Sequence, residues 1–176
     1  MRIYCKVLLC LLLTLNVYAQ RYPYGLEPVM LAQYKTAVER DSAKQLIDLE
    51  KIVPGIVLDI RYATTNNFTK VKIYNLPKAY ARKPVAMALK KAQAEFLKFG
   101  VGIKVFDAYR PYSATVKFYE VYRDTTYVAS PYRGSRHNRV CAVDMTLIDL
   151  KTGEELKMPT EYDSFKKDAW PSTPVS

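Results

Sequence analysis

The most regular pattern of apolar and polar positions in the chain runs from Lys83 to Phe99. Apolar residues recur there at intervals of three and four, and lysine and glutamate fill the positions between them. Pro84 suits the first turn of a helix, and Gly100 is a typical residue just after the last turn. This segment is therefore predicted to form an amphipathic helix.

Two further segments have a helical pattern. Residues 113–123 place apolar and aromatic side chains on one face, and residues 28–52 show a less regular periodicity that ends at Val53-Pro54-Gly55. We therefore expect helices on both sides of the Lys83–Phe99 segment.

Three segments have the composition of β-strands. Residues 56–62 are rich in β-branched side chains, residues 103–106 alternate, and residues 141–150 are mostly apolar. A turn at 151–154 and a short returning strand at 156–158 follow the last of them. Helices and strands in this order predict one α+β domain with a mainly antiparallel sheet and flanking helices.

The first 19 residues have the pattern of a secretory signal peptide. Arg2 and Lys6 provide positive charge, an apolar stretch follows from residue 7 to residue 17, and Val17-Tyr18-Ala19 fits a cleavage site. The apolar stretch is too short to span a bilayer, which takes about 20 residues. We expect export to the periplasm, a mature domain of residues 20–176, and no stable membrane insertion after cleavage.

Composition limits the classes of partner. The chain has 176 residues and a net charge of +10, which would permit nucleic-acid binding, but we expect no nucleic-acid partner for an exported protein. A solvated basic surface is the simpler interpretation of the charge, and attraction to an anionic cell envelope is the alternative. Removing the signal peptide leaves Cys141 alone, so no internal disulfide is expected. Oligomeric state is not predicted.

The only histidine of the chain, His137, lies in a polar loop that leads into the last predicted strand. Asp144 interrupts the apolar pattern of that strand, and a buried carboxylate needs a cation, a metal or hydrogen-bond donors. Imidazole nitrogen and carboxylate oxygen both bind Zn²⁺, and a catalytic zinc takes three protein ligands and a water. The pair supplies two ligands, so the third is unusual or absent. The alternative, a polar histidine satisfied by its neighbours, is equally consistent with these residues.

Arg110 follows the strand at 103–106 directly, within the run Asp107-Ala108-Tyr109-Arg110-Pro111. A guanidinium has a permanent charge and a planar set of donors, so beside a metal it could stabilise an oxyanion. A surface ion pair between Arg110 and Asp107 is the alternative. Residues 59–68 suggest by themselves only a strand that ends in a polar turn.

Taken together, these runs resemble one family. The segments DIRYATTNNF (59–68), FDAYRP (106–111) and SRHNRVCAVDMTL (135–147) are similar to the D-alanyl-D-alanine dipeptidases, and MPTEYDSF (158–165) adds to the likeness. These are zinc peptidases of cell-wall peptidoglycan metabolism that share a fold with D,D-carboxypeptidases and the Hedgehog signalling domain. The resemblance extends over residues 55–165 and implies a Zn²⁺-dependent hydrolase whose partner is a small dipeptide, D-Ala-D-Ala.

The resemblance also implies a role for individual residues. His137 and Asp144 match two zinc ligands, and Arg110 matches the arginine that stabilises the oxyanion. Ser135 matches a serine beside the metal that helps to hold the substrate. Tyr62 and Phe68 lie in the run near the substrate pocket.

Two departures from the family pattern affect the functional prediction. Val140 stands where the family has glycine, so we expect strain in the loop that holds His137. The Glu-x-x-His run that supplies the general base and the third zinc ligand has no counterpart here, which suggests a truncated enzyme. We expect no measurable hydrolysis of D-Ala-D-Ala by these 176 residues, unless Glu161 serves as the base. The alternatives are a degenerate, non-catalytic cell-wall-binding domain and a D,D-carboxypeptidase of the same fold.

Overall fold

The computed structural model describes residues 23–170 and 172–174. The predicted signal peptide, residues 1–19, and its cleavage site lie outside these residues. None of the helices in the described part of the chain has the length and apolar character required to cross a bilayer.

The described residues contain four α-helices. They are α1 (Leu31–Arg40), α2 (Leu49–Ile52), α3 (Lys83–Leu97) and α4 (Tyr112–Val121). Helix α3 is the predicted amphipathic helix, ending two residues early, and α4 is the predicted helix at 113–123 shifted slightly towards the N-terminus. Both predictions succeed because each helix buries one apolar face, and the burial follows the sequence period.

The helical prediction for residues 28–52 is wrong in its extent. Helix α1 ends at Arg40 because the side chain of Asp41 accepts a hydrogen bond from the Ala43 N–H and starts a 3-10 turn. Strand β1 (Leu46–Asp48) follows, and Asp48 then caps α2 through the Glu50 N–H. At both Asp41 and Asp48, the aspartate side chain accepts a hydrogen bond from a nearby backbone N–H, and such bonds compete with those of a continuous helix.

Two small sheets organise the fold. Strands β2 (Val57–Leu58), β4 (Val101–Asp107) and β5 (Asp144–Asp149) form a three-stranded sheet in the order β2-β4-β5. Strand β2 is parallel to β4, and β5 is antiparallel to it. Strand β1 pairs antiparallel with β3 (Tyr80–Arg82) in the second sheet. The predicted α+β class is confirmed, with one parallel pairing in an otherwise antiparallel arrangement of described strands.

All four predicted strands differ in length from those observed. The strand at 56–62 shortens to β2, and residues Arg61–Ala63 form a 3-10 turn. The strand at 141–150 begins only at Asp144, and the predicted return at 156–158 is a single bridge between Ile148 and Glu155. The strand at 103–106 is longer than predicted, since β4 begins at Val101.

The core forms around β4, which is buried along most of its length. Gln93 of α3 is fully buried and joins helix to strand: its amide accepts from the Ile103 N–H at 2.9 Å and donates to the Pro54 carbonyl at 3.2 Å. The strand register places Asp107, at the end of β4, beside Asp144, at the start of β5, after an irregularity between Val105 and Asp107. The sheet therefore brings two carboxylates together at one edge.

Candidate active site

His137 and Asp144 converge at this edge of the sheet. His137 Nε2 lies 3.4 Å from Asp144 Oδ1, the separation expected for two ligands of one metal ion. His137 Nδ1 lies 2.9 Å from the carbonyl oxygen of Ala108, which can only accept a hydrogen bond. Nδ1 therefore carries the hydrogen, and Nε2 can present its lone pair to a metal.

The charges of the two side chains are coupled. Burial is the largest single effect and lowers the pKa of His137, but the hydrogen bond to Asp144 and the charges of Asp144 and Asp107 together raise that pKa above its ordinary value. Burial raises the pKa of Asp144, but the hydrogen bond and charge of His137, followed by the charge of Arg110, hold it below its ordinary value. Below the raised pKa of His137 the metal-free side chains form an imidazolium–carboxylate pair, and a metal would replace the proton on Nε2.

Asp107 completes a cluster of three residues that could hold a metal, but its bonds argue against that role. Asp107 Oδ1 accepts from the Tyr74 hydroxyl and from the Ala108 N–H, both at 2.9 Å. Oδ2 accepts from Arg110 Nε at 3.0 Å and Nη2 at 2.8 Å. It also faces His137 Nδ1, at 3.7 Å, rather than Nε2. Four donors occupy this carboxylate, so it does not fit as the third ligand.

Arg110 is 9% exposed and supplies a fixed positive charge beside the pair. The ion pair with Asp107 that the sequence suggested is present, but it is buried rather than on the surface. Burial lowers the pKa of Arg110, whereas the Asp107 carboxylate raises it above its ordinary value, so the side chain stays charged. Its guanidinium carbon lies 4.7 Å from the ring centre of Phe118 and 5.4 Å from that of Tyr62.

Asn138 holds the loop that carries His137, a role that no sequence pattern indicates. Its Oδ1 accepts from the Ser135 N–H at 2.7 Å, and its own N–H donates to Ser135 Oγ at 3.1 Å. Its Nδ2 donates to the Arg110 carbonyl at 2.8 Å and to Thr115 Oγ1 at 2.9 Å. The predicted substrate residue Ser135 is buried and still has its hydroxyl hydrogen to donate.

The strain expected at Val140 is present. Its φ angle is +62°, in the left-handed region that β-branched residues resist, and its side chain is buried. The Val140 N–H donates to the His137 carbonyl at 3.0 Å, and the Val140 carbonyl accepts from the Arg82 N–H at 3.3 Å. These bonds and the burial hold the loop in a conformation that glycine would adopt freely.

Tyr62 lies against Arg110, and Phe68 packs against Tyr62 on the side of the core. Tyr62 is buried, and its ring meets that of Phe68 edge to face at 6.2 Å between centres. The Tyr62 hydroxyl donates to Asp163 Oδ2 at 2.8 Å. The structure thus places Tyr62 mainly in the core, and the predicted contact of Tyr62 and Phe68 with substrate stays a prediction.

Tyr162 and Asp163 also belong to the candidate site. The run 158–165 that contains them resembles the family, but the sequence pattern singles out neither residue. The Tyr162 hydroxyl donates to Asp144 Oδ2 at 3.2 Å. Burial, with a smaller contribution from the charge of Asp144, raises the pKa of Asp163 to about 6, although the Tyr62 hydrogen bond opposes the shift. Both residues lie on an irregular loop that no periodicity marks, so only the three-dimensional contacts identify them.

A cavity of about 750 Å³ adjoins the site at Tyr162 and Asp163. Its walls also include Phe106, Met145, Thr146 and most of the residues from Glu155 to Asp168, whereas His137, Asp144 and Arg110 are not among them. Glu161, the candidate substitute base, is exposed and lines this cavity. The cavity therefore lies beside the candidate site, and Tyr162 and Asp163 are the residues that belong to both.

Comparison with known proteins agrees with this geometry. The D-ala-D-ala dipeptidase family matches residues 42–175 of the chain. A D-alanyl-D-alanine dipeptidase of Escherichia coli is 32% identical over 119 residues, which cover 68% of this chain and 61% of the relative. Dipeptidases of the same name from Enterococcus faecalis and Streptomyces coelicolor are each 30% identical, over 65% of this chain and 67% of each relative.

The match to the E. coli protein therefore spans less than two thirds of that relative. The family match includes all of the residues discussed above, from Tyr62 to Asp163. On the extent of this match, the chain belongs to the D-ala-D-ala dipeptidase family.

Proposed function

We propose that the function of this family member is zinc-dependent hydrolysis of D-alanyl-D-alanine in cell-wall metabolism, with His137, Asp144 and Arg110 supplying part of the metal centre. The observation that carries the proposal is the 3.4 Å approach of His137 Nε2 to Asp144 Oδ1 beside the buried charge of Arg110. A metal ligand pair next to a fixed cation suits hydrolysis of an amide, in which negative charge develops on the carbonyl oxygen.

The pair has the separation that zinc requires. Ligand atoms at ~2.0–2.2 Å from zinc and at a tetrahedral angle lie roughly 3.3–3.5 Å apart. His137 Nε2 and Asp144 Oδ1 meet this distance, and the Ala108 carbonyl fixes the ring in the required tautomer. When bound, zinc would polarise the scissile carbonyl and acidify a water.

The chain's own residues would bind and orient the dipeptide around this centre. Arg110 uses Nε and Nη2 for Asp107, which leaves Nη1 to donate to the developing oxyanion. The Ser135 hydroxyl can donate to a substrate oxygen while it accepts from Asn138. Asp163 lines the cavity that adjoins the site, so its carboxylate would be available to the ammonium group of the dipeptide.

A catalytic zinc needs a third protein ligand and a general base. In residues 23–170 and 172–174 the third carboxylate of the cluster, Asp107, has no free oxygen for the metal. This observation favours a second candidate function, a degenerate domain that binds a cell-wall peptide without turning it over. A D,D-carboxypeptidase acting on longer stem peptides is the alternative within the enzymes.

One experiment separates these functions. The purified chain is titrated with Zn²⁺, the metal stoichiometry is measured, and alanine release is followed with D-Ala-D-Ala and with a pentapeptide stem. Zinc-dependent release from the dipeptide alone supports the dipeptidase. Release from the pentapeptide alone identifies a carboxypeptidase.

Two other outcomes are informative. Zinc-dependent binding of the dipeptide without release, measured by calorimetry, supports the degenerate binding domain. A chain that binds neither zinc nor dipeptide, and behaves identically when His137 is changed to Gln, contradicts the proposal. His137→Gln is the matched variant because it removes the imidazole lone pair and keeps a polar side chain of similar length.

We also propose that the protein is exported to the periplasm. The basic residues, apolar stretch and Val17-Tyr18-Ala19 of the first 19 residues support this location. Mass spectrometry of the exported protein should find an N-terminus at Gln20, and a retained Met1 in the cytoplasmic fraction would contradict export.

A further inference from the structure

We propose that Tyr162 is a positioning residue for the metal centre. Its hydroxyl holds Oδ2 of Asp144, so that Oδ1 alone is presented to the metal. This inference rests on the proposed metal site. It assigns to Tyr162 the role of determining which oxygen of Asp144 binds the metal.

The two oxygens of Asp144 have different partners. Oδ1 lies 3.4 Å from His137 Nε2, in the position of a ligand atom. Oδ2 accepts from the Tyr162 hydroxyl at 3.2 Å and has Arg110 Nη2 at 3.8 Å. A carboxylate with one oxygen engaged by donors binds a metal through the other oxygen, because chelation would break the hydrogen bond.

Tyr162 is the principal donor to Oδ2, ahead of Arg110. The Arg110 contact, at 3.8 Å, is longer than a hydrogen bond, and that guanidinium is already bonded twice to Asp107 Oδ2. The Tyr162 hydroxyl also has a hydrogen-bond contact with the side chain of Tyr62, which is not a donor to Asp144. Loss of the hydroxyl would therefore leave Oδ2 without a donor at hydrogen-bonding distance.

Packing fixes the direction of the Tyr162 hydroxyl. The Tyr162 ring stacks on Phe106 with 4.7 Å between ring centres and 30° between planes. Its other neighbour is the buried ring of Tyr62, which lies 6.3 Å away in an edge arrangement. Because Phe106 is in β4 and Asp144 begins β5, the hydroxyl is held relative to the same strand pair that carries the ligand.

The test uses the full chain and Tyr162→Phe, which removes one oxygen and keeps the ring. Zinc affinity is measured by competition with a chelating indicator, and bound Co²⁺ is examined by its visible absorption. Tyr34→Phe is the matched control, because Tyr34, on the distant helix α1, is also a partly buried tyrosine, and its hydroxyl accepts a hydrogen bond from the Leu46 N–H at 2.9 Å. Asp144→Asn identifies binding at the proposed site.

We expect Tyr162→Phe to weaken zinc binding by roughly 10–100-fold, the usual effect of losing a partner that orients a ligand. The Co²⁺ spectrum should change with it, whereas Tyr34→Phe should match the parent protein in both measurements. Equal zinc affinities for the parent and Tyr162→Phe, with Asp144→Asn impaired, would overturn this inference alone. Zinc binding that is absent, or unaffected by Asp144→Asn, would overturn the metal centre and this inference together.

Discussion

The side-chain amide of Asn138 donates a hydrogen bond to the backbone carbonyl of Arg110 across 2.8 Å. This bond joins the loop of His137 to the segment of Arg110, and the Arg110 N–H donates a second bond to the His137 carbonyl at 3.3 Å. Asn138→Ala should lower the free energy of unfolding by about 1–3 kcal/mol, because buried polar partners lose their bonds. It should also weaken zinc binding, as measured by chelator competition.

Asn138→Asp is the matched variant for that prediction. It retains an acceptor for the Ser135 N–H but replaces the donor that faces the Arg110 carbonyl by an oxygen. We expect Asn138→Asp to be destabilised in urea unfolding as Asn138→Ala is. Parent-like stability would show that the bond to Arg110 contributes nothing.

Arg110→Ala should destabilise the protein by about 3–5 kcal/mol, because it leaves the Asp107 carboxylate buried and unpaired. Adding Asp107→Asn should recover much of the loss, since the amide oxygen can still accept from Tyr74 and the charge is gone. Chemical unfolding of the parent, the two single variants and the double variant gives the coupling energy. Additive effects of Arg110→Ala and Asp107→Asn on the free energy of unfolding would contradict a direct interaction between the two side chains.

The strain at Val140 can be isolated by two substitutions. Val140→Gly and Val140→Ala both remove the buried isopropyl group, but only glycine adopts φ of +62° without cost. The glycine variant should therefore be more stable than the alanine variant by ~1 kcal/mol. Equal thermal denaturation midpoints for the two variants would show that the left-handed conformation is not strained here.

The interaction between His137 and Asp144 should stabilise the metal-free protein most in mildly acidic solution. The raised pKa of His137 contributes stability that is full below the unfolded value and is lost as pH rises through the folded value. The lowered pKa of Asp144 contributes stability above its unfolded value that is lost as pH falls. Both contributions are present between about pH 4 and pH 6.5.

Thermal denaturation in EDTA, across that range and at higher pH, measures the effect, with His137→Gln as the comparison. The difference in stability between the parent and His137→Gln should shrink as pH rises above the folded pKa of His137. Zinc affinity should rise as pH rises, because fewer protons then compete with the metal for Nε2. A parent-minus-variant difference independent of pH would show that the imidazolium–carboxylate pair does not form.

The sequence predicted the elements whose burial follows a period. Helix α3 was found within two residues because Pro84 and the apolar stripe mark it locally. Strands β1 and β3 were missed because each has three residues, and they become strands only by pairing with each other across more than thirty residues.

The residues of the candidate site also fall into two groups, those that a local pattern marks and those that none does. His137, Asp144 and Arg110 were found through their motifs, while Asn138 and Tyr162 were not. Asn138 acts through bonds to Arg110 and Thr115, far from it along the chain, and Tyr162 acts through a bond to Asp144, 18 residues before it. Such contacts depend on the tertiary structure, and no local pattern encodes them.

The register of β4 and β5 sets Asp107 and Asp144 side by side, so natural selection would keep Arg110 for a reason apart from catalysis. Two neighbouring carboxylates repel each other, and the arginine offsets that repulsion whether or not any peptide is cleaved. A descendant that had lost hydrolysis altogether would still be selected to retain the Asp107–Arg110 pair for folding. Retention of this arginine among related sequences is therefore poor evidence of activity, and retention of His137 is the more informative trait.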